Sequence, residues 1–249
     1  MFRYRSKSRT YRDNLRIASL LSFVAGMVNV AGFLAVAQLT TNVTGHFAFF
    51  IEEVYRLDVW RGLVYFLFVF FFLFGSFFSG ILIEWVSRKN EHFVYIIPVL
   101  IEAVTLSLIA FYNEELIEKN PNLIAYLMLF AMGLQNSLVT IISNSIVRTT
   151  HLTGLFTDLG IELSQLFFYK SYSHRKKLMS SIQLRFFIII FFLLGGIVSG
   201  LFYYRFKLEV LYFSALVLIF GLFYDQIRIR INLLGRNIKQ NVLMKKDSN

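Results

Sequence analysis

A 249-residue chain of mean hydropathy +0.61, with 57% apolar and only 16% charged residues, has too little polar surface for a soluble domain. It has no cysteine, which excludes disulfides, thiol chemistry and thiolate metal sites. Its net charge of +10 is segregated into runs that flank apolar segments, so it is topological in origin and nucleic acid is not an expected partner.

Apolar segments of membrane length run over 15–38, 62–86, 93–112, 122–146, 184–204 and 209–226. Long stretches such as 64–78 are apolar on every face rather than alternating, which predicts helices and not a barrel. The expected fold class is therefore all-α: a polytopic membrane bundle of six transmembrane helices with the lipid bilayer as its surroundings. Arg3, Arg5, Lys7, Arg9, Arg12 and Arg16 precede or open the first segment, and Arg88 and Lys89 follow the second. Lys170, Arg175, Lys176 and Lys177 follow the fourth, and Arg228, Arg230, Arg236, Lys239, Lys245 and Lys246 follow the sixth. Glu52, Glu53 and Asp58 follow the first, and Glu114, Glu115 and Glu118 the third. The positive-inside rule then predicts that both termini are cytoplasmic. The division is one membrane domain over 1–226 and a basic cytoplasmic tail over 227–249. The first apolar segment is too long for a signal-peptide core and is expected to stay as an anchor.

Three markers occur twice in the same order. Gly26-Met27-Val28-Asn29 returns as Gly133-Leu134-Gln135-Asn136, Thr41-Asn42-Val43-Thr44-Gly45 as Thr150-His151-Leu152-Thr153-Gly154, and Gly75-x-x-x-Ser79-Gly80 as Gly195-x-x-x-Ser199-Gly200. The chain reads as a tandem duplication, repeat one about 15–112 and repeat two about 122–226. Three segments per half is an odd number, so the copies should enter the bilayer with opposite orientation, as in many secondary transporters.

After each Thr-Gly the chain stays apolar (Phe47, Phe49, Phe50; Leu155, Phe156, Leu159), which predicts a short helix whose N-terminus the threonines cap. Lying flat in the interface is preferred to re-entry for these helices. The expected solute site gathers Asn29, Thr41, Thr44 and Gly45 with Gln135, Asn136, Thr150, Thr153 and Gly154, where helix N-termini and amides would face a polar ligand. Helix capping and interhelical hydrogen bonding are the competing roles for these residues. Glu102 lies at the middle of the third segment, where an ionised acid costs at least ~2.5 kcal/mol, and is the expected proton-coupling residue; a neutral packing hydrogen bond is the alternative. The glycine and serine ridges are assigned to close helix packing.

His46, His92, His151 and His174 have no metal-ligand spacing, and no catalytic or nucleotide-binding motif is present, so no metal, no cofactor and no enzymatic activity are expected. An intramembrane enzyme built from His46, His151 and Asp158 ranks last.

The Thr44-Gly45 pair, Met132-Gly133-Leu134-Gln135-Asn136 and Thr149-Thr150-His151-Leu152-Thr153-Gly154 resemble the YoaK-type family of bacterial six-helix membrane proteins over roughly 18–204. Members more often have Thr-Gly-Asn where this chain has Thr44-Gly45-His46. The resemblance implies a multi-pass protein of the bacterial cytoplasmic membrane and supplies no substrate. The expected function is secondary transport of a small polar metabolite, proton-coupled and with its site between the repeats; a possible homodimer would enclose the path. The alternative from another class is a non-transporting scaffold or sensor.

Overall fold

The structure is a computed structural model and describes residues 10–88, 94–112, 114–169 and 171–224. Residues 1–9 and the tail 227–249 lie outside the described residues, together with most of the basic residues assigned to them. Everything described in regular structure is helical: α1 (Tyr11–Val36), α2 (Thr44–Tyr55), α3 (Val59–Ser87), α4 (Ile96–Ala110), α5 (Glu114–Lys119), α6 (Pro121–Ser143), α7 (Leu152–Phe168) and α8 (Tyr172–Phe206). A single 3-10 turn, Lys207–Glu209, separates α8 from α9, which covers 210–224.

Sequence sets the helix boundaries by familiar chemistry. Thr10 and Asp13 form a capping box at the start of α1, and Pro121 takes the first position of α6, where its missing N–H costs nothing. Pro98 falls in the first turn of α4, so it starts that helix rather than kinking it. Both α1 and α6 end on a left-handed residue, Ala37 and Asn144, each at φ 54.

Four apolar runs are long enough to cross a membrane: α1, α3, α6, and the run Tyr172–Tyr224 that contains α8 and α9. Against the six segments expected, four such runs occur among the described residues. With 15 residues, α4 extends only about 22 Å, short of a hydrocarbon layer of about 30 Å. The acidic connection before α6, expected as a loop, contains α5. The exterior of the bundle is apolar, with Leu73, Phe77, Leu201 and Phe220 all more than 60% exposed, a surface suited to lipid and not to water. Trp60 and Trp85 are exposed near the two ends of α3, about 38 Å apart along the helix, the placement of an interfacial aromatic belt.

Helices α1 and α6 form the buried centre. They are antiparallel: Gly32 of α1 lies beside Met128 of α6, while Leu21 meets Gln135. α1 packs on α8, and α6 packs on α3. Both contacts are made through glycine, and they are reciprocal. A Cβ on Gly26 would stand 2.0 Å from the Phe192 carbonyl oxygen, and one on Gly195 would stand 2.0 Å from that of Phe23. Gly75 and Gly133 repeat the arrangement with Phe130 (2.1 Å) and Phe72 (2.2 Å). Each glycine is the last residue of a Phe-x-x-Gly, and each such phenylalanine gives its carbonyl to the glycine opposite. The ridges assigned to packing thus bring backbone against backbone, a separation only glycine permits.

The short helices, expected at the interface, pack against the helices that follow them. His46 meets Phe68 at 4.8 Å, Phe49 meets Tyr65 at 5.2 Å and Phe50 meets Phe66 at 5.9 Å between ring centroids, so α2 and the first part of α3 form an antiparallel hairpin. α7 and α8 repeat it, with Asp158 and Glu162 against Arg185 and Tyr169 against His174. The 3-10 turn likewise reverses the chain: Phe23 touches Phe213, Leu20 faces Gly221 and Arg16 lies over Tyr224, so α9 runs antiparallel to α1.

Alanine at Gly26, Gly75, Gly133 or Gly195 must force two backbones apart, and each substitution is expected to destabilise the bundle by about 1–3 kcal/mol. Gly160 in α7 has nothing within 4 Å of an added Cβ, so Gly160→Ala should be neutral or stabilise by up to about 1 kcal/mol. Thermal unfolding of the purified protein in detergent checks both. The double variant Gly26→Ala/Gly195→Ala should cost less than the sum of its parts, because one displaced interface accommodates both.

Candidate functional site: two return loops

Because Ala37 and Asn144 turn left-handed, the chain after each central helix folds back along that helix instead of leaving the bundle. Thr41 donates through Oγ1 to Asn29 Oδ1 at 2.9 Å, and Thr150 donates to Asn136 Oδ1 at 2.8 Å. Asn29 precedes the end of α1 at Val36 by seven residues, and Asn136 precedes the end of α6 at Ser143 by the same seven. Each loop therefore returns about 10 Å along its helix before the next one begins. The neighbouring threonines are also drawn inward: Thr40 Oγ1 donates to the Val28 carbonyl at 3.1 Å, and Thr149 Oγ1 accepts from Gln135 Nε2 at 3.3 Å. Gln135 is fully buried and also donates to the Leu21 carbonyl at 3.0 Å, joining the second loop to α1.

Thr41 and Gln135 are thus buried and Asn29, Asn136 and Thr150 half-buried; each threonine–asparagine pair lies within one half, and Gln135 reaches across to the other. Thr44 and Thr153 are exposed and belong to the first turns of α2 and α7. Threonine does not cap either helix, against expectation. The cap positions are Val43 and His151, and neither side chain bonds to the helix. Asn42 Oδ1 accepts from the Gly45 N–H at 3.4 Å, and in the second half the His151 ring occupies the corresponding place over Gly154. A Cβ on Gly154 would lie 2.5 Å from Nδ1 of that ring, so the close approach accounts for this glycine. His46 is buried against Phe68, with Nε2 2.8 Å from the Leu39 carbonyl. Burial lowers the basicity of its imidazole, an effect the carbonyl opposes.

Glu102 is fully buried in α4, and neither carboxyl oxygen has a hydrogen-bond partner. Ser22, Ser79 and Ser199 hydroxyls and the Gln135 carbonyl oxygen are likewise buried without partners. Ser79 and Ser199 occupy equivalent positions in the duplicated sequence. Among the described residues, no group of three or more His, Asp or Glu side chains is placed to hold a metal ion.

Three described cavities lie elsewhere: an apolar groove of about 440 Å³ between α1, α8 and α9, a polar one of about 490 Å³ in the α7/α8 hairpin, and an apolar one of about 320 Å³ in the α2/α3 hairpin. None is lined by the two Thr-Gly segments. The halves differ most in these hairpins. Where the first packs Phe49 on Tyr65, the second has Asp158, Glu162 and Arg185, with Arg185 bonded to Asp158 at 3.1 Å, to Glu162 at 2.5 Å and to Ser181. Sequence reasoning missed Arg185, which stands inside the fifth apolar segment, 184–204, and it missed Thr40. The second threonine in each Thr-Thr pair was visible, and the first would have been found from the duplication of the pair itself.

A helical bundle with membrane-length apolar helices and an apolar exterior is the class of protein these features define. Residues 17–224 match the model of the family described as protein of unknown function (DUF1275), and the chain belongs to that family. No curated protein and no solved structure matches the chain.

Thr41→Val and Thr150→Val each remove a donor and leave an asparagine oxygen without its partner. Each is expected to lower stability by about 1 kcal/mol, and by similar amounts in the two halves. Thr44→Val and Thr153→Val, at exposed positions, should change thermal unfolding far less.

Proposed function

We propose that the protein is a secondary transporter of a small polar metabolite, built as two inverted repeats, α1–α4 and α6–α9, in a bacterial cytoplasmic membrane. The observation that carries this reading is the matched pair of return loops. Two antiparallel central helices each end in a left-handed residue, each take back a Thr-Thr pair at the same depth and each lead into a short helix packed on the next long one. Inverted-repeat transporters place their solute between such discontinuous elements. The solute lies between Asn29, Thr41, Thr44 and Gly45 on one side and Gln135, Asn136, Thr150, Thr153 and Gly154 on the other. Rocking one repeat against the other exposes it alternately to the two sides. Thr41 and Thr150 then exchange their asparagine partners for the solute, which makes each return loop a gate that closes on itself when empty. Glu102 takes up and releases the coupled proton, in keeping with a carboxyl group that has no structural partner. The protein has no enzymatic role in this scheme and works as a homodimer or alone.

The alternative is a scaffold, in which the loops only brace the bundle. Flux decides between them. Vesicles with reconstituted protein and an imposed pH gradient, challenged with amino acids, sugars and small carboxylates, should show proton movement with at least one solute, measured by an internal pH dye. Glu102→Gln should fold to the same yield and lose pH-driven flux. If no solute moves protons, or Glu102→Gln retains full pH dependence, transport or its proton coupling respectively is rejected.

Inverted orientation has its own check. Cysteines at Glu115 and Lys176, both on exposed segments, should react with an impermeant maleimide from opposite sides of the membrane, with Lys176 on the cytoplasmic side. Reaction from one side only would remove the inverted repeat.

A further inference from the structure

The groove between α1, α8 and α9 has a composition that no part of the transport reading uses. Its walls are Leu15, Leu20, Phe23, Phe191, Val217 and Phe220, and its one charged lining group is Arg16. Gly221 keeps one wall thin, since a Cβ there would meet Leu20 Cδ1 at 2.5 Å. The groove has a direction. Arg16 and Tyr224 stand at one end, with the guanidinium 5.8 Å from the centre of the tyrosine ring, and Phe23 stands at the other, about 10 Å further along α1. One guanidinium nitrogen of Arg16 is buried with no hydrogen-bond partner. Arg16 lies about 8 Å from the start of α1, the depth of a headgroup rather than of the membrane centre.

We propose that this groove binds one anionic phospholipid, its phosphate on Arg16 and an acyl chain along Leu20, Phe23, Phe191 and Phe220. Charge complementarity selects this occupant. A half-buried cation with one buried, unused donor at the mouth of an apolar groove lacks an anion and not a further apolar side chain, and a guanidinium meets a phosphate with two parallel N–H donors. Basic pockets between membrane helices hold anionic headgroups in this way. The ring of Tyr224 holds the guanidinium plane at the mouth, so the donor is in place before the lipid arrives. The inference does not depend on transport and survives if no solute is found.

The full chain in detergent, titrated with phosphatidylglycerol or with phosphatidylcholine of the same acyl chains, tests it by native mass spectrometry. Phosphatidylglycerol should be retained at one per chain and more tightly than phosphatidylcholine. Arg16→Gln should weaken phosphatidylglycerol about tenfold or more and leave phosphatidylcholine unchanged, which a general loss of folding would not do. Ser19→Phe, which fills the channel and leaves Arg16 in place, should reduce retention of phosphatidylglycerol. Glycerol phosphate without acyl chains, and oleate, should fail to compete. Equal retention of the two lipids, an unchanged Arg16→Gln titration, or displacement by glycerol phosphate or oleate would each overturn the proposal. So would a lipid-free dimer whose interface covers the groove.

Discussion

The bundle depends on backbone meeting backbone at four glycines. Inside hydrocarbon, apolar side chains gain little by leaving lipid for one another, so helices associate through close packing and the few polar bonds that closeness permits. Here two such contacts join α1 to α8 and two join α3 to α6, each a glycine beneath the carbonyl of the phenylalanine that begins the opposite Phe-x-x-Gly. The contacts are reciprocal, so neither helix of a pair can slide without breaking both. Register is fixed by steric exclusion at 2.0 to 2.2 Å, not by a directional bond.

From that register the rest follows. Gly26 and Asn29 are separated by three residues, as are Gly133 and Asn136, so each asparagine lies one turn beyond a locked crossing and on a neighbouring face. There it can accept the returning threonine. The loop that brings that threonine carries backbone groups into an apolar interior, where every unpaired polar group is costly, and Asn29, Asn136, Gln135 and the four inward threonines offset part of that cost. The short helices then have their antiparallel places on α3 and α8 decided for them. Repeat one completes its hairpin with aromatic rings and repeat two with Arg185 and two carboxylates, so the common frame holds surfaces of different chemistry at its two ends.

Much of this was legible in the sequence because duplication marks what both copies need. Gly-x-x-Asn, the Thr-Gly pair and Gly-x-x-x-Ser-Gly identified the central helices, the breaks after them and the packing ridges. The partner of each threonine was not legible. Thr41 and Asn29 lie twelve residues apart, and only the left-handed turn at Ala37, at a residue type that rarely adopts it, brings them together. The mix of apolar and charged residues in α2 and α7 fits an interfacial helix and a hairpin partner equally well, and the choice is made by tertiary contacts with α3 and α8. The reversal after Lys207 had no glycine or proline to announce it. The fourfold Phe-x-x-Gly, by contrast, was in plain view, and its meaning lay in the pairing of distant copies.

The interior holds more polarity than packing requires. Once the threonine and asparagine bonds are made, Glu102, Ser22, Ser79, Ser199 and the Gln135 oxygen still lack partners, and each such group costs about 1–3 kcal/mol relative to a satisfied or apolar replacement. A bundle selected only to hold together would gain from an apolar residue at position 102 and alanine at 79 and 199. Unlike the glycines, these groups contribute nothing to register. Two of them, Ser79 and Ser199, are kept at equivalent points of both repeats, beside the same crossings that position the return loops. Local rules are broken in native proteins chiefly where function needs them broken. The surplus polarity at the centre of this bundle is therefore a stronger argument for a working interior than either return loop alone, since the loops also have a structural account and the unpartnered acid in α4 has none.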